Sequence, residues 1–162
     1  SLWKFLDIFP VLGYSLNVPH GKRNRGLAVA YSFRILKSNQ VDADELELAR
    51  ILGWCVEMLQ AYLLVIDDFL DQSITRRGQL CWYRQVSLQF ANCSFYLFAL
   101  IQSISDGVGL IAINDGLLLQ ASVFNLLKMH FKDKPYYNEI LDLMLEVITF
   151  IKIMFSHVII CF

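Results

Sequence analysis

Leu59-Gln60-Ala61-Tyr62-Leu63-Leu64-Val65-Ile66-Asp67-Asp68-Phe69-Leu70-Asp71-Gln72-Ser73-Ile74-Thr75-Arg76-Arg77-Gly78 is a strongly apolar run closed by three carboxylates, with two arginines a few residues on. Read as a helix, it stacks Asp67 and Asp71 on one face with Asp68 beside them. Like charges at that spacing repel by a few tenths of a kcal/mol per pair, and an apolar setting raises the cost. A cation would relieve it. Hard oxygen ligands in this number suit Mg²⁺, which binds through one or two carboxylates together with substrate phosphates. The same residues also describe a solvated acidic helix end paired with Arg76 and Arg77, and an acidic motif this short does not decide between the two.

Upstream, Val41-Asp42-Ala43-Asp44-Glu45 has the form of a helix start, with Asp42 as N-cap and Glu45 three residues on as in a capping box. The spacing predicts a helix of roughly thirty residues from there to the carboxylates. Gln60, seven residues before Asp67, shares their face and needs a polar partner there. Further upstream, Pro19-His20-Gly21-Lys22-Arg23-Asn24-Arg25-Gly26 leads into a helical pattern over 27–36. Three cations before a helix N-terminus suit an anion, with Lys22 and Arg25 able to reach it; an ordinary basic loop is the alternative.

Downstream, 86–105 is a run of 20 residues without charge, long enough to be weighed as a membrane span, but its serines, Gln89, Asn92 and Gln102 make it a poor one. Asp106 and Gly107 are expected to end it. A helix is then expected over 109–128 with Leu117, Leu118, Ala121, Phe124 and Leu127 buried, and another from Tyr136 with Ile140, Leu141, Met144, Leu145 and Ile148 apolar. From Ile148 the composition turns strongly apolar again.

The 162 residues suit one domain or part of one, and a net charge of −1 gives no case for nucleic acid. The hydrophobic share of 56% is high for a soluble protein, and segments 86–105 and 148–162, whose one charged residue is Lys152, account for much of it. Cys55, Cys81, Cys93 and Cys161 lack metal-site spacing and read as reduced thiols of a cytoplasmic protein. The start at Ser1-Leu2-Trp3 reads as that of a fragment.

Taken together, Gly21-Lys22-Arg23-Asn24-Arg25-Gly26, Gly53-Trp54-Cys55-Val56-Glu57, Leu59-Gln60-Ala61, Asp67-Asp68-Phe69-Leu70-Asp71, Thr75-Arg76-Arg77-Gly78-Gln79-Leu80-Cys81-Trp82-Tyr83 and Ala112-Ile113-Asn114-Asp115 closely resemble the farnesyl diphosphate synthases of animal type. These are all-α trans-prenyltransferases of the polyprenyl synthase family. The resemblance covers the chain to about Gln85 and again from Gly107 to about Val147. It implies the early helices of the isoprenoid synthase fold, an incomplete helical bundle. Asp67, Asp68 and Asp71 match the first aspartate-rich motif, which holds the allylic diphosphate through Mg²⁺, and Arg76 matches an arginine on that diphosphate. Lys22, Arg25, Gln60 and Arg77 match positions that hold isopentenyl diphosphate. The implied reaction is head-to-tail condensation to farnesyl diphosphate, by a full-length protein that is a homodimer.

The chain departs from that pattern in three places. Of two aromatics that limit product length in the family, Tyr62 keeps one and Leu63 replaces the other, which leaves a geranyl or geranylgeranyl diphosphate synthase open. Segment 86–105 interrupts a place where the family runs almost directly on, and the resemblance stops before 148–162. Both read as translated intron or a mis-assembled gene model, with a lineage-specific hydrophobic loop or membrane anchor as the alternative. The family's second aspartate-rich motif has no counterpart, so the fragment is expected to be inactive by itself. A non-catalytic or membrane-associated relative is the reading from another class.

Overall fold

The computed structural model describes residues 22–38, 40–85 and 98–160, and its chain divides into two compact units after Val123. In order, the elements are α1 (Asn24–Leu36), α2 (Ala43–Leu70), β1 (Thr75–Arg76), β2 (Gln79–Leu80), α3 (Phe98–Phe131) and α4 (Tyr137–Ile160). The all-α expectation holds, with a two-residue hairpin added.

In the first unit α2 is the core element. It buries Ile51, Cys55, Met58, Leu59, Tyr62, Leu63 and Val65 among others, each contributing roughly 1.5–3 kcal/mol on burial as an upper bound. Among the described residues α2 is the one helix long and apolar enough to cross a membrane, and its apolar residues are instead spent on this core. Asp42 caps it by accepting from the Asp44 N–H at 3.3 Å. Glu45, expected to complete a capping box, instead pairs with Lys37 at 3.0 Å and ties the end of α1 to the start of α2.

Backbone contact governs how α1 meets α2. A methyl group built on Gly53 would lie 2.5 Å from the Gly26 carbonyl oxygen, and one on Gly26 would lie 2.8 Å from that of Gly53. Only two glycines let the helices cross this closely. On α3, Gly116 likewise faces Tyr62, Val65 and Ile66 of α2 at ordinary packing distance.

Two expectations about α3 need correction. Asp106 and Gly107 do not interrupt it, since the helix runs through them from Phe98; of the segment 86–105, residues 86–97 lie outside the described residues. The buried face is also rotated. Leu117, Leu118 and Ala121 are exposed, while Ala112, Asp115, Leu119, Ser122, Val123, Leu126 and Leu127 are buried. A run this uniformly apolar carries little periodic signal to choose a face, and one tertiary hydrogen bond helps choose it: Trp82 donates from Nε1 to Asp115 Oδ2 at 2.9 Å.

The second unit, from Phe124, holds the last turns of α3 and all of α4. They are joined by a tight turn in which Phe131 and Tyr136 meet edge to face at 6.4 Å. Met144 and Ile148 are buried on α4, whereas Leu145, expected on the apolar side, is exposed.

Candidate functional site

The carboxylates sit where α2 stops. Asp71 is its C-cap, the Gln72 N–H returns to the Phe69 carbonyl at 3.3 Å, and the Ser73 N–H to that of Asp68 at 3.0 Å. This double closure is a Schellman motif, with Gln72 at φ 53° in the left-handed position where glycine is usual. It turns the chain sharply, and the hairpin follows at once. Thr75 pairs with Leu80 and Arg76 with Gln79. Arg77 (φ 55°) and Gly78 (φ 80°) form a two-residue turn with both φ angles positive, as a type I′ hairpin requires.

The hairpin returns Arg76 to the helix end. Its Nε donates to Asp68 Oδ1 at 2.8 Å, and its Nη2 reaches both Asp68 Oδ1 and Asp67 Oδ2, the latter at 3.1 Å. Alternation along the strand and the turn that follows leave Arg77 exposed. Tyr83 braces the construction: its hydroxyl donates to the Ser73 carbonyl at 2.9 Å and its ring meets Phe69 edge-on at 5.7 Å. Arg84 stacks over the Tyr83 ring and donates to the Ser73 carbonyl and the Tyr83 hydroxyl.

The three carboxylates therefore occupy different environments. Asp68 is buried under Arg76, whose guanidinium its hydrogen bond keeps firmly protonated. Beside it, burial and then the Asp68 charge push the Cys81 thiol up to about 11. Asp67 is half-buried and Asp71 exposed. Partial burial and then the Asp71 charge raise the Asp67 carboxyl above its ordinary value, against the pull of Arg76. Among the described residues no three His, Cys, Asp or Glu side chains converge on a point that could cage a metal. What the helix end offers is two mutually repelling carboxylates one turn apart, Asp67 half-buried and Asp71 exposed, which suits a hard cation that takes its remaining ligands from phosphate oxygens and water.

Of the other residues singled out by sequence, Gln60 is half-buried on α2, and Tyr62 and Leu63 are buried among the core residues of the first unit. Lys22 and Arg25 are exposed at the start of α1. The structure brings Asp67, Asp68 and Arg76 into contact, and gives no such contact linking Lys22, Arg25, Gln60 and Arg77.

Sequence reasoning missed Glu57. Its Oε1 accepts a hydrogen bond at 2.8 Å from the Gly26 N–H in the first turn of α1. The helix N-terminus read as awaiting an outside anion thus holds a carboxylate of the chain itself. Arg23 precedes this turn with φ 53°, and together with Arg50, Trp54 and Glu57 it lines a cleft of about 270 Å³ between the helices. A glutamate on an otherwise apolar stretch, four residues after Gly53, was the available signal.

An all-helical scaffold with an arginine-braced aspartate cluster at the end of its central helix defines the class. The pattern of the polyprenyl synthetase family matches residues 11–153, and the chain belongs to that family. It is 49% identical over 131 residues to farnesyl pyrophosphate synthase 1 of Cannabis sativa, a match covering 81% of this chain and 33% of that protein. With the farnesyl pyrophosphate synthase of Ganoderma lucidum it shares 46% over 127 residues, covering 78% and 30%. Among solved structures, the T. brucei farnesyl diphosphate synthase superposes with a TM-score of 0.53 at 35% identity, covering 74% of this chain and 29% of that one. The chain spans about a third of the length of these relatives.

Proposed function

We propose that this chain is the early part of a prenyltransferase that joins isopentenyl diphosphate to dimethylallyl and geranyl diphosphates, giving farnesyl diphosphate. Membership of the polyprenyl synthetase family, with relatives named farnesyl pyrophosphate synthase, supports the reaction class. The observation that carries the site is the helix end itself, where Asp71 is exposed, Asp67 is half-buried and Asp68 is buried under Arg76. Asp67 and Asp71 are the carboxylates that would hold Mg²⁺ at the allylic diphosphate; Asp68 serves the same centre by fixing Arg76. Bound there, Mg²⁺ supplies positive charge that stabilises departing diphosphate. Arg76, already at the helix end, adds a fixed cation beside the leaving group. Arg77, Lys22, Arg25 and Gln60 hold the isopentenyl diphosphate. The allylic C1–O bond breaks to leave diphosphate and an allylic cation, the isopentenyl double bond attacks that cation at C1, and a proton is then lost from C2 of the isopentenyl unit. Tyr62 and Leu63 contribute to the apolar wall that limits product length.

The protein is cytoplasmic and its full-length form a homodimer. Residues 86–105 and 148–162 are translated intron or gene-model error, an assignment that long-read cDNA carrying both segments would overturn. The 162 residues alone do not turn over, because the opposing aspartate-rich motif is not among them. The experiment is product chromatography with labelled isopentenyl diphosphate and geranyl diphosphate, using this chain and a version without 86–105 and 148–162 that is extended by the downstream coding sequence. A C15 product from the extended protein alone is expected. A C10 or C20 end product would reassign the specificity, and no product from the extended protein would reject the prenyltransferase reading.

A further inference from the structure

Lys22 just before α1 and Arg25 in its first turn are exposed cations, and nothing in their own stretch of sequence fixes where they point. What fixes this turn is on α2. The Gly26 N–H, one residue after Arg25, donates to Glu57 Oε1 at 2.8 Å, across a separation of 31 residues. The contact exists because Gly26 and Gly53 lie backbone to backbone; a methyl group on Gly26 would also press within 2.9 Å of the Glu57 Cγ. The carboxylate at the N-terminal end of α1 gains from the helix dipole as well as from the hydrogen bond.

We propose that Glu57 is a positioning residue: by anchoring the first turn of α1 through the Gly26 amide, it presents Lys22 and Arg25 as a preorganised pair for a diphosphate. This rests on the diphosphate chemistry proposed above. Without the anchor, the first turn frays and binding must restore the order that Glu57 supplies in advance. A carboxylate near a cationic anion site is otherwise a handicap, since its charge repels the ligand. The two effects have opposite signs.

The test is calorimetric titration of the chain with isopentenyl diphosphate, comparing wild type, Glu57→Gln, Glu57→Ala and Gly26→Ala. Circular dichroism restricts the comparison to temperatures where each variant is folded, and hydrogen exchange of the Gly26 amide is followed alongside. Glutamine keeps the acceptor and removes the charge, so Glu57→Gln is expected to bind as tightly as wild type or more so. Glu57→Ala is expected to weaken binding about tenfold, the scale of one charge-assisted hydrogen bond, with faster Gly26 exchange. Gly26→Ala is expected to weaken binding similarly with Glu57 intact. If both Glu57 variants bind more tightly, charge alone matters and the proposal is overturned. It is equally overturned if the Gly26 amide exchanges alike in wild type and Glu57→Ala. If wild type shows no affinity for isopentenyl diphosphate, the functional reading fails instead. The exchange data then still decide whether Glu57 anchors the turn.

Discussion

The two charged regions that α2 organises, the acidic end of α2 and the basic start of α1, are built in opposite ways. At the acidic end, Arg76 lies eight and nine residues from the carboxylates it contacts, and one Schellman turn and one hairpin bring it back. At the basic start of α1, order comes from Glu57, 31 residues from Gly26, and from a glycine pair 27 positions apart. The first region neutralises part of its own charge; the second leaves Lys22 and Arg25 exposed. Local construction tolerates the loss of one contact better than construction across a helix crossing, where a single methyl group meets backbone on the other side.

That contrast can be broken most severely at Gly53. Gly53→Ala puts a methyl carbon 2.5 Å from the Gly26 carbonyl oxygen, and neither backbone can yield without moving its helix. A loss of about 3 kcal/mol in denaturant unfolding is expected, the upper end of ordinary overpacking. At the acidic end, Asp68→Ala leaves Arg76 half-buried without its main partner, and the expected cost is about 2 kcal/mol, reduced from the fully buried case because Arg76 remains partly in water. If the two losses come out in the reverse order, the contrast between local and long-range construction is wrong.

Smaller changes sharpen it. Gln72 holds a left-handed conformation that costs about 1 kcal/mol in a residue with a side chain, offset by its own 2.7 Å bond to the Phe69 carbonyl. Gln72→Gly is therefore expected to stabilise the chain by about 0.5 kcal/mol and to leave the Arg76 contacts in place. Smallest is a pH effect at Asp115, whose carboxyl is raised by burial against the lowering pull of Trp82. Folding then favours the protonated form, so the stability this group supplies is complete below its unfolded pKa of about 3.9 and fades as pH rises through the higher folded value. Asp115→Asn keeps an acceptor for Trp82 and does not titrate. The stability of wild type relative to the variant should fall between acid and neutral pH in thermal unfolding, and a constant difference would contradict the assigned burial effect.

Much of this was legible in the sequence where the signal is local. The Asp42 cap and the aspartate–arginine spacing each join residues fewer than ten positions apart, the helix to Leu70 is one continuous element, and the structure puts them where the pattern does. Three things were not legible. The face of α3 could not be chosen from Leu117-Leu118-Leu119, because every side looks apolar; the Trp82–Asp115 bond, 33 residues apart, bears on the choice. Glu57 read as one more residue in a family string until Gly26 and Gly53 were seen in contact. The separate fates of Asp67, Asp68 and Asp71 also required the hairpin, since spacing alone puts all three at one helix end without saying which one Arg76 buries.

The most direct test of the site is titration of the chain with geranyl diphosphate, with and without Mg²⁺, in wild type, Asp67→Asn and Asp71→Asn. Binding that requires Mg²⁺ and is lost in both variants is the predicted result. Binding that survives chelation of the metal, or that neither substitution weakens, would contradict the assignment of this helix end to an allylic diphosphate.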